Sequence, residues 1–515
     1  MSWEKEIEEL RRREQLAQKM GGPDKVKRQH DGGKLTVRER VERLLDKGSF
    51  HEIGALAGVA EYGPEGDLKD VRPANLIFGR GRIDGRTIAV TGDDFTVRGG
   101  ANDGGIKDKL LAVERMACDL RLPLVRLVDG TGGGGSVKNL ELHGHSPMPK
   151  AFLWDWWTDN LGEIPVVSLA LGSVAGLGAA RVAASHYSVM VKDSSQMFVA
   201  GPPVVEWTHG KFEKNALGGS HIHTRNGAVD DEAASEDEAF EKTRRFLSYL
   251  PNSVHDLSER KENKDDPNRK DPWLLEAVPR DARKVYAMRR IIAAVFDRDS
   301  FFEMGRLWGR SIITGLARLG GWPVAVMAGD PMHYGGAWTA RASEKITRFV
   351  DLAQVFHLPM VHLVDCPGFL IGPEAEKEGT IRYGMRAATA ILQSKMPWCS
   401  VIVRKVFGVA GALHQNSSRY GMRVAWPSAE WGSLPIAGGL EAAYKSEIQA
   451  AADPAAKRAE IEARIRKFAS PMRGAERYDV EEIIDPRDTR RILCEFAELA
   501  APLRERGRTS FGMRP

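Results

Sequence analysis

The chain has 515 residues, 42% of them hydrophobic, which is more than one compact core holds, so two large domains are expected. Its 74 basic and 70 acidic residues leave a net charge of +4 spread along the chain with no basic arm, which argues against nucleic acid as a partner. Four cysteines without CxxC spacing, and no apolar run of roughly 18 to 20 residues, argue against a disulfide framework, a thiolate zinc site and a membrane span, and cytoplasmic location is the expectation.

The opening WEKEIEELRRREQLAQKM predicts a charged helix with Ile7, Leu10 and Leu16 as its apolar positions, laid over a larger body or a partner. LTVRERVERLLDKGSF predicts a second helix, with Thr36 as N-cap, Glu39 three residues on as in a capping box, and Gly48 at its end. RIDGRTIAVTGDDF reads as a hairpin turning at Asp84-Gly85, KDKLLAVERMACDLR as an amphipathic helix, and LPLVRLVDG, Leu122 to Gly130, as a short buried strand. A glycine run, Gly132 to Gly135, follows, then a helix and the strand IPVVSLALG from Ile164, which runs into GSVAGLGAA.

The same order returns after the polar run SERKENKDDPNRKDP: ARLGGWPVAVMAG, SEKITRFVDLAQVFH, LPMVHLVDC (Leu358 to Cys366), and then MPWCSVIVR followed by RKVFGVAGALH. Asp129 and Asp365 are 236 residues apart (365 − 129), and that offset also pairs Lys109 with Lys345, Gly99-Gly100-Ala101 with Gly335-Gly336-Ala337, Asp94 with Asp330 and Gly79 with Gly315. A gapless register this long reads as a duplicated domain, and its period is too long for a solenoid. The expected division is residues 1–257, a linker at 258–272, and residues 273–515. Continuous apolar strands alternating with helices predict an α/β fold, each sheet covered by helices. Helices are also expected in KSEIQAAADPAAKRAEIEARIRKF and RILCEFAELAAPLRER near the end.

Glycine lets backbone N–H groups face a ligand with no Cβ in the way, and N–H groups at a helix start carry partial positive charge, so glycine loops at matching places of both copies point to oxyanion binding. GSVAGLG is not read as a dinucleotide fingerprint, because no acidic residue closes a second strand about 20 residues on. His143 and His145 have HxH spacing but lack a third ligand at recognisable spacing, so no metal site is assigned. Trp154, Trp156 and Trp157 read as helix packing, and His223, His333 and His414 stand as acid or base groups without an evident partner.

On these motifs the chain resembles the carboxyltransferase (beta) subunits of biotin-dependent acyl-CoA carboxylases, the group of propionyl-CoA and methylcrotonyl-CoA carboxylase beta subunits. The resemblance runs through GKLTVRERVERLLDKGSFHEIG, GDDFTVRGGA, MVKDSSQMFVAGPPVV, LGGSHIH, LVDCPGFLIG and IIDPRDTRRIL, in order over nearly the whole length. It implies two crotonase-like domains of the ClpP/crotonase superfamily, built of ββα spiral repeats, the first binding acyl-CoA and the second biotin. It implies transfer of the carboxyl group from carboxybiotin to the alpha or vinylogous carbon of an acyl-CoA. The alternatives are a biotin-dependent acyl-CoA decarboxylase subunit and a non-catalytic scaffold of the same fold.

By position, the resemblance makes Gly132 and Gly133 donors to the thioester carbonyl and Val409 and Ala410 donors to biotin. Gly99, Gly100, Gly134, Gly176 and Gly178 would shape the acyl-CoA pocket, and Gly408, Gly411 and Ala412 with Ala410 the biotin pocket. TGGGGS stands where the family has a GGAR-like stretch, and GVAGA where acetyl and propionyl enzymes have GGAYD, so Ala412 replaces an Asp linked to short acyl groups. With no biotinyl-lysine motif and no ATP-grasp region in the sequence, the implied partners are a biotin carboxylase subunit and a biotin carboxyl carrier protein. The implied assembly is a homo-hexamer, a trimer of dimers.

Overall fold

The computed structural model describes residues 2–101, 107–130, 141, 144–146, 148 and 155–515. The chain forms two units, Met1–Asp256 with Gly507–Pro515, and Leu257–Arg506. Two expected boundaries move. The segment 258–272 is part of the second unit: Lys261 N–H donates to the Gly321 carbonyl at 3.1 Å, and Arg490 donates to the Asp265 and Asp266 carbonyls. Its polarity, which reads as linker composition, serves ion pairs such as Arg269 with Asp265 at 2.8 Å. The last nine residues return to the first unit, where Met513 is buried and its N–H donates to the Leu161 carbonyl at 3.1 Å.

Each unit is built on one mixed sheet. In the first, seven strands lie in chain order: His51–Glu52, Leu76–Ile83, Arg86–Asp93, Leu124–Val128, Val166–Ala170, Tyr187–Val191 and Asp231–Ala233. The first three are antiparallel and the rest join in parallel. In the second, Phe302–Met304, Ile312–Leu319, Trp322–Gly329, Met360–Cys366, Trp398–Phe407, Met422–Ala425 and Glu482–Ile483 repeat that order, with Glu430–Gly432 added beside Trp398–Phe407. The hairpin turns need left-handed backbone at both central residues, met by Asp84-Gly85 (φ 52° and 78°) and Gly320-Gly321 (57° and 86°). The two copies of the buried strand bury every residue, as parallel strands covered on both faces do. This is the crotonase-type α/β architecture, written twice.

Helix Glu4–Gln18 forms, but it buries only Leu16 and Ala17, packing Leu16 with Leu68 and Val71, while Ile7 and Leu10 are exposed. Helix Val37–Leu44 has the expected capping box: the Thr36 hydroxyl accepts from Glu39 N–H, and Glu39 accepts from Thr36 N–H at 2.7 Å. Thr36→Ala is expected to destabilise the first unit by about 1 kcal/mol, read as a lower urea midpoint at constant slope. Near the C-terminus, helices Ile436–Ala443, Lys445–Ala450 and Pro454–Arg466 pack around Leu440, Ile448 and Ile461, and helix Thr489–Ala500 packs into the main core of the second unit. Among the described residues no helix is long and apolar enough to cross a membrane.

Candidate functional site

In the second unit the strand Trp398–Phe407 ends at Gly408, whose φ of 60° turns the chain into the short helix Gly408–Ala412. Strand Glu430–Gly432 pairs with Lys405–Phe407 and closes the turn from the side. Gly411 lets the helix sit on the strand, since a Cβ there would lie 2.8 Å from the Val406 carbonyl carbon. Ala410 is buried, whereas Val409 is 57% exposed and Ala412 is exposed one turn on. The N–H groups of Val409 and Ala410 fall in the first helical turn, where the helix has no acceptor for them. Five candidate residues are therefore brought together as one turn of backbone donors.

A polar cluster braces this turn from behind. His414 Nδ1–H donates to the Gly411 carbonyl at 2.8 Å, and the His414 carbonyl accepts from His362 Nδ1–H (2.9 Å), Trp398 Nε1–H (2.9 Å) and the Ser400 hydroxyl (2.7 Å). The other ring nitrogen of His414 is buried without a partner. Burial pushes His362 down to about 3, against the opposite pull of its bond to the His414 carbonyl, so its ring is neutral. Both histidines act as scaffold.

That assignment fixes a pH effect. The folded value of His362 lies below its ordinary 6.5, so its contribution to stability is present above about pH 6.5 and is lost as pH falls toward 3. His362→Gln is expected to flatten the acid limb of the second unit's unfolding curve. An unchanged limb would mean that His362 takes up no proton on unfolding.

The first unit repeats the turn. Ser173–Ala175 pairs in parallel with Gln196–Phe198 in the register in which Lys405–Phe407 pairs with Glu430–Gly432. Gly176, with φ 56°, then caps helix Leu177–Ala183 and donates its N–H to the Phe198 carbonyl at 3.1 Å. Gly176 thus occupies the place of Gly408, and the N–H groups of Leu177 and Gly178 match those of Val409 and Ala410. Leu177 was missed in the sequence because this pair lies 232 residues apart (408 − 176), four short of the main offset. His223 supports the turn through a 2.7 Å bond from its ring to the Met197 carbonyl, and its Nδ1 is buried without a partner.

Gly99 and Gly100 (φ 64° and 66°) form a second turn in the first unit, matched by Gly335 and Gly336 (62° and 86°). A Cβ on Gly100 would sit 2.4 Å from the Asp129 carbonyl oxygen, so this turn lies directly on Asp129-Gly130, just past the end of the buried strand. Gly132, Gly133 and Gly134, like His143 and Trp154, fall outside the described residues. Trp156 and Trp157 lie in helix Asp155–Glu163 against Arg115 and Arg126, as packing groups. His333 lies 4.0 Å from Asp330.

Known proteins share the sequence family and the fold over nearly the whole chain. The carboxyl transferase domain family matches residues 28–510. A propionyl-CoA carboxylase carboxyltransferase subunit from Haloferax mediterranei is 34% identical over 513 residues, covering 97% of both chains. A methylmalonyl-CoA decarboxylase subunit alpha from Veillonella parvula is 31% identical, covering 94% of both. A solved transcarboxylase 12S structure, described as a hexamer with methylmalonyl-coenzyme A bound, superposes with a TM-score of 0.88 at 29% identity, covering 99% of this chain and 97% of its own. The chain belongs to the carboxyl transferase domain family, as a carboxyltransferase subunit of the biotin-dependent acyl-CoA carboxylase kind.

Proposed function

We propose that the first unit holds an acyl-CoA and the second holds biotin carried by a partner protein, and that this chain transfers a carboxyl group between them. The observation that carries this reading is the pair of matching turns, Gly176 to Gly178 and Gly408 to Ala410, each presenting helix-start N–H groups from a glycine with positive φ. Two separate oxyanions develop in the reaction, an enolate on the thioester and the ureido oxygen, and two donor turns suit them. The second turn fits a ureido oxygen: it offers neutral backbone donors beside the exposed Val409, and the Gly408 position has no Cβ to crowd the approach. When bound, carboxybiotin supplies the CO2 and a nitrogen base for the alpha proton.

In this reading Val409 and Ala410 hold the ureido oxygen, with Gly408, Gly411 and Ala412 shaping the pocket. Leu177 and Gly178 join Gly132 and Gly133 as donors to the thioester carbonyl, while Gly99, Gly100, Gly134 and Gly176 shape the acyl-CoA pocket. Ala412, in place of an Asp, favours a bulkier, branched or aromatic acyl group over propionyl. The chain works in the cytoplasm as a hexamer with a biotin carboxylase and a biotin carboxyl carrier protein.

The test is to mix the purified protein with that carboxylase and carrier, ATP, labelled bicarbonate and a panel of acyl-CoAs. Biotin-dependent label in a branched or aromatic thioester is the expected result, and no label in any thioester overturns the carboxylase reading. The relative from Veillonella parvula favours one second reading, decarboxylation, which predicts label loss from a carboxylated thioester in the same mixture.

A further inference from the structure

The internal duplication allows a charge cluster to be compared with its own copy. In the second unit Arg289, Glu303, Asp330 and Lys345 form a closed set. Arg289 bonds Glu303 at 2.6 Å and Asp330 at 2.5 Å, and the Lys345 ammonium donates to the carbonyls of Gly305, Trp308 and Ile312 at 2.8, 3.1 and 2.8 Å. The first unit carries the same four residue types at matching places. Arg38, like Arg289, is the second residue of its helix, and Glu52 pairs with Gly79 as Glu303 pairs with Gly315. Asp94 and Lys109 follow by the 236 offset. Gly54 and Gly305, with φ 67° and 64°, each lie against the methylene stem of the lysine.

In the first unit the set is open. Arg38 still holds Glu52 at 2.9 Å, but its Nε–H is buried without an acceptor. Asp94 accepts from the N–H and hydroxyl of Thr96 in place of a guanidinium. Lys109 is only 8% exposed, and its ammonium has no hydrogen-bond acceptor among the described residues. Burial pulls it down to about 8, with Glu52 opposing and Arg38 adding to the shift. The hairpin of Gly58–Tyr62 and Leu68–Pro73 is inserted between the turn at Gly54 and the strand Leu76–Ile83, and the Ala57 carbonyl is taken by Ala74 N–H at 2.9 Å.

Two cations thus lie among two carboxylates, Glu52 and Asp94, yet each keeps unused donors, where the sister copy leaves nothing open. Burying a donor of a charged group without an acceptor is costly, so the orphaned Arg38 Nε–H points to an acceptor, and the Lys109 ammonium beside it favours one that carries negative charge. We propose that the Arg38 Nε–H and the Lys109 ammonium form a binding site for one small oxyanion, bicarbonate or a carboxylate group. The near-complete burial of Lys109 favours a small ligand over a phosphate ester. The site does not depend on which loop holds the thioester.

The test is trace acetylation of the folded wild-type protein with acetic anhydride, with Lys109 read by mass spectrometry against the other lysines. It is run in bicarbonate, formate and chloride of equal ionic strength. A bound oxyanion favours the charged amine, and one unit of upward shift cuts labelling about tenfold. Protection of that order at Lys109 alone, in bicarbonate or formate and not in chloride, is the expected result. Protection by bicarbonate only assigns bicarbonate, and protection by both assigns carboxylates in general. Equal labelling in all three salts, or no labelling of Lys109 in any, overturns the proposal. Arg38→Met is expected to abolish the protection, and protection that survives in the folded variant removes Arg38 from the site and overturns it too. If the variant does not fold, the wild-type comparison decides alone.

Discussion

Val409→Pro is expected to lower kcat for carboxyl transfer about 10²- to 10³-fold, the loss typical of one oxyanion donor. Val409→Ala is expected to stay near wild type. The contrast isolates the backbone. Val409 is 57% exposed, so trimming its side chain removes little packing, and the alanine variant keeps the N–H. Proline deletes only that N–H, in the first turn of helix Gly408–Ala412, where proline's fixed φ is tolerated and no intrahelical bond is lost. The thermal midpoint should therefore hold while the rate falls. Loss of about 2.7 to 4 kcal/mol from the barrier with no change in thioester KM would mark a donor acting on the biotin side. A folded Val409→Pro variant that keeps more than about a third of the wild-type kcat would remove Val409 from the hole.

The duplicated strands, the hairpins at Asp84-Gly85 and Gly320-Gly321, and the Thr36 cap were legible because each rests on local chemistry: a continuous apolar run, turn residues that accept positive φ, a hydroxyl three residues before a glutamate. The second donor turn was legible from GVAGA and its helix. The equivalence of Gly176 with Gly408 was not, because four residues lost between the copies break the register, and only strand pairing restores it. The segment Ser258–Pro272 misled for a physical reason. Its charges are spent on Arg490, on the Arg298 N–H and on backbone carbonyls, which composition cannot distinguish from charges spent on water. The open charge cluster at Lys109 was equally invisible, since both copies spell the same lysine and differ only in whether carbonyls reach it.

Arg40→Met is expected to be the most destabilising single change in the first unit, by about 3 to 5 kcal/mol. Arg40 is fully buried and donates to Asp129 at 2.8 Å, to Glu236 at 2.7 and 2.9 Å, and to the Leu171 carbonyl at 3.0 Å. Asp129 ends the strand that delivers the chain into the glycine run, and Lys34 at 3.2 Å and Gln29 at 3.1 Å are its other side-chain donors. Methionine fills most of the volume but leaves two buried carboxylates, of which only Asp129 keeps a cation, the partly exposed Lys34. Hydrogen exchange in Leu124–Val128 should quicken about 10²- to 10³-fold at neutral pH, and Arg40→Met combined with Asp129→Asn and Glu236→Gln should recover part of it, because it removes the orphaned charges. Exchange that is unchanged in Arg40→Met would show that the buried triad does not hold the strand end.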